Sequence, residues 1–196
     1  MKKFVLSMAA LVIMSTFAVA EGDVPSSLFA QNDESNFYLG VGITAVSTRD
    51  ARVSLDFFNV KNGQDRLGNF SLFAGYEFNE YIAFDGRYTT TYTKEDLVEM
   101  SGWSLFVKPQ YPIGEDFHLY ALIGYGAVKL EAVNESTVDV DDSGFQWGIG
   151  LTYDLMDNAS IFIDYTSLAN DMEGMYYNGA LEVNVNAINV GAIYKF

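Results

Sequence analysis

Cysteine is absent from the 196 residues, so no disulfide framework, thiol nucleophile or cysteine-ligated metal centre can be built. There is one histidine, His118, which leaves a nucleophile–base relay little to work with. Proline is scarce, at three residues, as long ordered strands require. Basic residues are few: 11 Lys and Arg against 26 Asp and Glu set a net charge of −15. That balance argues against nucleic acid and anionic membrane surfaces as electrostatic partners. Long apolar runs are missing as well, apart from one near the N-terminus. No later segment approaches 18 consecutive apolar residues, so any crossing of a bilayer must be made by strands.

The N-terminal exception has the layout of an export signal. Lys2 and Lys3 precede an apolar stretch from Phe4 to Phe17, and Ala18-Val19-Ala20 supplies small residues ahead of Glu21. The run is short for a spanning helix, so residues 1–20 are expected to be a cleaved signal peptide and 21–35 a periplasmic leader. Removing Lys2 and Lys3 takes the net charge from −15 to −17, because the first 20 residues contain no acid. The remainder is rich in Tyr (13), Phe (15) and Gly (17), more aromatic than a soluble globule needs. A barrel with two interfacial aromatic girdles would use them.

Period-2 alternation places eight strands near 36–47, 67–78, 81–92, 101–112, 117–130, 143–155, 159–168 and 183–196. The connections alternate. Residues 79–80, 113–116 and 156–158 are tight and carry Asn, Gly or Asp, whereas 48–66, 93–100, 131–142 and 169–182 are long and mostly polar. Short and long connections around an even strand number predict an all-β, eight-stranded antiparallel up-and-down transmembrane barrel over residues 36–196. Both termini then lie in the periplasm and the long loops outside. Loop one carries its own alternation (Val53, Leu55, Phe57) and an Asn62-Gly63 turn, so a hairpin is expected there. Pro109 fits a ladder badly, and a bulge or strand end is expected at it.

Parity assigns the two faces. Phe70, Leu72, Ala74, Tyr76 and Phe78 point one way in strand two, and Phe145, Trp147, Ile149, Leu151 and Tyr153 do so in strand six. These sets must face lipid, because a charge there at mid-bilayer costs roughly 2–4 kcal/mol. Glu77, Asp85, Arg87, Lys108, Gln146, Asp154 and Asp164 then point into the lumen. Asp85 is expected to pair with Lys108 on the adjacent strand, and Arg87 with Asp164 across the ring, as salt bridges closing the interior. Phe73, Phe106, Tyr120 and Phe162 also point inward, with room made by Gly40, Gly42, Gly124, Gly126, Gly148 and Gly150. No catalytic or cofactor site is expected. Asp139-Val140-Asp141-Asp142-Ser143-Gly144 copies the first half of a calcium loop, but Gly150 stands where the bidentate Glu belongs, and a solvated acidic loop is expected. Met172, Met175, Tyr176 and Tyr177 mark loop four as the adhesive surface, or as lipid-facing if strands seven and eight run further.

The last eight residues, Asn189-Val190-Gly191-Ala192-Ile193-Tyr194-Lys195-Phe196, alternate back from a terminal aromatic. They resemble the C-terminal recognition signal of bacterial outer-membrane barrels, with Asn189, Gly191, Tyr194 and Phe196 at the required positions. Together with the strand rhythm and the Gly75-Tyr76-Glu77-Phe78 strand end, this makes residues 36–196 resemble the small outer-membrane β-barrel family of the OmpA membrane domain, OmpX, Ail and the opacity-type adhesins. The resemblance implies insertion by the barrel assembly machinery through the C-terminal strand. It also implies lipid and lipopolysaccharide as surroundings, and loops free to meet an external partner. The small outer-membrane acyltransferases and deacylases, eight-stranded as well, use His with Ser and a carboxylate on the external side; His118 is expected at the other end. A non-enzymatic scaffold or loop-displaying adhesion and envelope-integrity protein is therefore expected, with a narrow porin-like channel for ions or small solutes as the alternative and a lipid A-modifying enzyme ranked behind both.

Overall fold

Strict alternation with few prolines favours extended backbone, and an amphipathic strand can leave no edge unpaired in lipid, so the segments close on one another. The computed structural model describes residues 36–50, 52, 54–55, 64–92, 98–132, 139–173 and 182–196. They form β1 (Phe37–Asp50), β2 (Gln64–Asn79), β3 (Ile82–Thr91), β4 (Val98–Pro112), β5 (Phe117–Ala132), β6 (Asp139–Met156), β7 (Ala159–Glu173) and β8 (Glu182–Lys195). Each strand pairs antiparallel with its neighbours in sequence, and β8 returns to β1, closing the barrel. The tight turns between β2 and β3, β4 and β5, and β6 and β7 share one end of the barrel with Phe37 and Lys195. At the first of these turns the Asn79 side chain accepts the Tyr81 and Ile82 amides at 2.8 and 3.0 Å, which explains why the chain reverses there.

Several strands run further toward the long connections than their alternation suggests. A bilayer needs about 9–11 tilted residues per strand, whereas β6 has 18. The half-calcium motif at 139–144 is therefore not a loop but the first turnless stretch of β6, which an EF-hand-like site cannot use. Met172 lies in β7 and is fully buried inside the barrel, correcting its expected place on an adhesive or lipid-facing loop. Two bulges in β7, between Ser167 and Ala169 and between Ala169 and Met172, shift its register against β8. Met175, Tyr176, Tyr177, residues 1–35 and the Asn62-Gly63 turn lie outside the described residues.

Pro109 is neither a strand end nor a bulge. The β4–β5 ladder lapses between Val107↔Ile123 and Gln110↔Tyr120 without changing register, so the sheet tolerates one missing donor. On the other side Pro109 stays opposite Ile82.

Wall and lumen separate by parity. Ile43, Leu72, Leu105, Ile123, Ile149 and Ile163 are exposed on the outer face. Around the tight-turn end, Phe37, Tyr76, Phe78 and Phe84 form a run of edge-to-face ring contacts, and Tyr194 meets Phe196 at 5.2 Å. Tyr88, Tyr92, Trp103, Tyr125, Phe145 and Trp147 are exposed further up. Two aromatic girdles with an aliphatic band between them match a bilayer's interfaces. Inside, glycine makes room: a Cβ on Gly124 would run into the Leu105 carbonyl and lie 2.8 Å from Phe106. Gly124→Val is expected to cost about 1–3 kcal/mol by overpacking. Its measure is the fraction of protein that keeps compact mobility on an unheated gel; a wild-type fraction would mean the wall can move aside.

Candidate functional site

The interior is filled at three levels. At its middle the Arg87 guanidinium lies between two aspartates, with Nε 2.6 Å from Asp85 Oδ1 and Nη1 2.9 Å from Asp164 Oδ2. The Phe73 and Phe106 rings flank it, with centroids 5.0 and 5.4 Å from Cζ. Tyr38 donates to the free oxygen of Asp85 at 2.6 Å, and Tyr120 to Asp164 at 2.8 Å. Asn189 Nδ2 (2.6 Å) and the Thr166 hydroxyl (3.1 Å) also donate to Asp164. Both carboxylates thus trade hydration for fixed donors, as a buried charge must.

The network continues across the sheet. The Thr44 hydroxyl donates to Asn189 Oδ1 at 2.7 Å. Its one proton is then used, so Ser71 must donate to Thr44 (2.6 Å) and Thr89 to Ser71 (2.7 Å). A directed relay therefore runs Thr89–Ser71–Thr44–Asn189–Asp164, each bond polarising the next toward the carboxylate. Ser71 has the parity opposite to the outward Phe70 and Leu72; the linkage between these small polar residues has no sequence signal, since it joins β3, β2, β1, β8 and β7.

The other charges lie apart from this centre. Lys108 does not pair with Asp85: the β3–β4 register sets Lys108 opposite Ala83 and Asp85 opposite Phe106. Its ammonium instead lies over the Tyr120 ring at 4.3 Å, with Tyr38 at 5.5 Å, and has no ion-pair partner among the described residues. Glu77 pairs with Lys195 at 3.1 Å near the tight-turn mouth. At the same mouth Asp154 meets His118 Nδ1 at 3.4 Å and accepts the Ser160 hydroxyl. The serine proton is directed at the carboxylate rather than the imidazole, so this trio lacks the serine–histidine contact a nucleophilic relay requires. Gln146, fully buried, donates to the Leu168 carbonyl at 2.8 Å.

Above the ionic centre the lumen turns apolar. Val46, Leu67, Met100, Val128, Leu130, Leu168, Met172, Val183 and Val185 pack together at the long-connection end. Around and beneath the centre, Tyr38, Phe73, Phe162 and Ile193 form one cluster and Phe106, Tyr120 and Leu122 another. Of the nine residues of the upper cluster only Met100 and Met172 fall in the long polar connections of the sequence reading; the other seven lie within its strands, and alternation along single strands does not show that they meet as one cluster. Asn189 and Gly191 lie on β8, and Tyr194 and Phe196 project outward at its end.

The family described as outer membrane protein beta-barrel domain matches residues 5–196. The virulence membrane protein PagC of Salmonella typhimurium is 32% identical over 110 residues, covering 52% of this chain and 54% of PagC. The matched stretch thus spans about half the length of that relative. Outer membrane protein X of Escherichia coli K12 is 25% identical over 139 residues, or 66% of this chain and 79% of that protein. The structure of Ail, the attachment invasion locus protein of Yersinia pestis, superimposes with a TM-score of 0.54 at 21% identity, over 83% of this chain and 99% of Ail. That last likeness is one of fold.

Proposed function

The chain belongs to the outer membrane protein β-barrel domain family, and from that premise we propose a non-enzymatic, non-conducting scaffold whose wall displays its four long connections at the cell surface. The observation that carries this reading is the filled lumen, in which the Asp85–Arg87–Asp164 centre lies beneath the apolar cluster around Met172 and Val185. An eight-stranded interior is only just wide enough for side chains to fill, and here three successive layers occupy it. Function then belongs to what the connections meet, as contact or adhesion or as envelope integrity.

The orientation follows from the same reasoning. Tight turns and both chain ends lie in the periplasm, residues 1–20 are removed on export, and 21–35 form a short leader. Asn189, Gly191, Tyr194 and Phe196 present the C-terminal strand to the barrel assembly machinery. The aromatic girdles seat the barrel among outer-membrane lipids and lipopolysaccharide.

The deciding experiment is single-channel recording of residues 21–196, refolded and inserted in a planar bilayer after a heat-dependent gel shift has established closure. Silence from folded protein is the expected outcome. Reproducible discrete steps would overturn it in favour of a narrow channel, and a changed conductance or ion preference in folded Arg87→Met or Lys108→Met would place the conducting path in the lumen.

A further inference from the structure

The wall is not continuous. Pairing between β6 and β7 stops at Trp147↔Ser167, although β6 continues to Asp139 and β7 to Glu173. Beyond that point β7 follows β8 through its two bulges and leaves β6. Gln146 bridges the parting by donating to the Leu168 carbonyl, which closes the lower edge of the gap with a side chain where a ladder bond would otherwise lie. Above this bridge is a cavity of about 230 Å³ lined by Asp142, Gly144, Phe145, Leu168, Ala169 and Asn170.

Three features give the cavity a chemistry. Phe145, Leu168 and Ala169 supply apolar walls. Asp142 accepts only the Ser143 amide, at 2.8 Å, and has no ion pair among the described residues. Gly144 leaves the space open: a Cβ built there meets nothing within 4 Å, so any larger side chain would project into the cavity. An anion would be repelled by Asp142, and a neutral apolar guest would desolvate that carboxylate without replacing its water. A cation with a short apolar body satisfies both parts.

We propose that the gap between β6 and β7 is a binding site for a small amphipathic amine, the ammonium on Asp142 and the apolar part between Phe145, Leu168 and Ala169. The volume falls below the roughly 300–1,000 Å³ of sites for drug-sized ligands, which restricts the guest to one ring or a short chain. The site lies in the wall, so it stands whether or not the lumen conducts.

The test uses the protein refolded in a neutral maltoside detergent and titrated with 4-fluorobenzylamine, followed by the amide shifts of Gly144 and Ala169. Saturable shifts are expected for the amine. The alcohol analogue, 4-fluorobenzyl alcohol, should bind about tenfold more weakly, the worth of one charge-assisted hydrogen bond. Asp142→Asn should bring amine and alcohol together, and Gly144→Leu should abolish binding of both while the heat-dependent gel shift persists. If Gly144→Leu fails to fold, Ala169→Leu fills the cavity from the opposite wall. Absence of saturable shifts in the folded wild type would overturn the proposal. So would equal affinity for amine and alcohol, or unchanged binding in the folded cavity-filling variant.

Discussion

Replacing Arg87 with methionine is expected to lower the free energy of unfolding by about 3–5 kcal/mol, because it strands two buried carboxylates. Asp85 and Asp164 keep their tyrosine, asparagine and threonine donors, but the one cation between them is gone. The effect should persist at high salt, since a pair only a few per cent exposed is poorly screened. Adding Asp85→Asn and Asp164→Asn to Arg87→Met should recover most of the loss, because the stranded charges go with their partner. Urea unfolding of the protein in lipid vesicles, followed by Trp103 and Trp147 fluorescence, measures each variant. A loss below about 1 kcal/mol for Arg87→Met would mean water reaches the centre and stands in for the guanidinium.

Met172→Ala is the second large effect. On an exposed loop this change would stay within about 0.5 kcal/mol. Fully buried among Leu168, Val183 and Val185, it should cost about 2–5 kcal/mol through lost burial and the cavity left behind. Met172→Leu, which keeps the volume, should cost less than about 1.5 kcal/mol. The same vesicle unfolding assay separates the alternatives. An alanine variant as stable as wild type would remove the apolar layer from the account of the closed lumen.

These two residues show where sequence reasoning reached and where it stopped. The inward direction of Asp85, Arg87 and Asp164 follows from a two-residue period counted along each strand, and the structure places all three in the interior. Their partners do not follow from that count. Counted from the tight turns at 79–80 and 113–116, Asp85 and Lys108 come out level, yet the register sets them two residues apart, and Asp85 turns to Arg87 on its own strand. Met172 falls outside the alternation because Asn170 and Asp171 interrupt it, and a bulge leaves no mark in a two-residue period.

What the sequence determined by itself is local and periodic. Alternation, turn residues and the order of short and long connections specify eight antiparallel strands, a lipid-compatible wall and a polar face within, because side-chain direction in a strand depends on parity alone. Tertiary structure decided what depends on stagger between strands. Closing a barrel tilts and shears its strands, so residues far apart in the chain come level only once the whole ring has formed. That shear joins Arg87 to Asp164 and Thr44 to Asn189. Past Ser167 the two bulges keep β7 on β8 and away from β6, and the cavity beside Asp142 opens there.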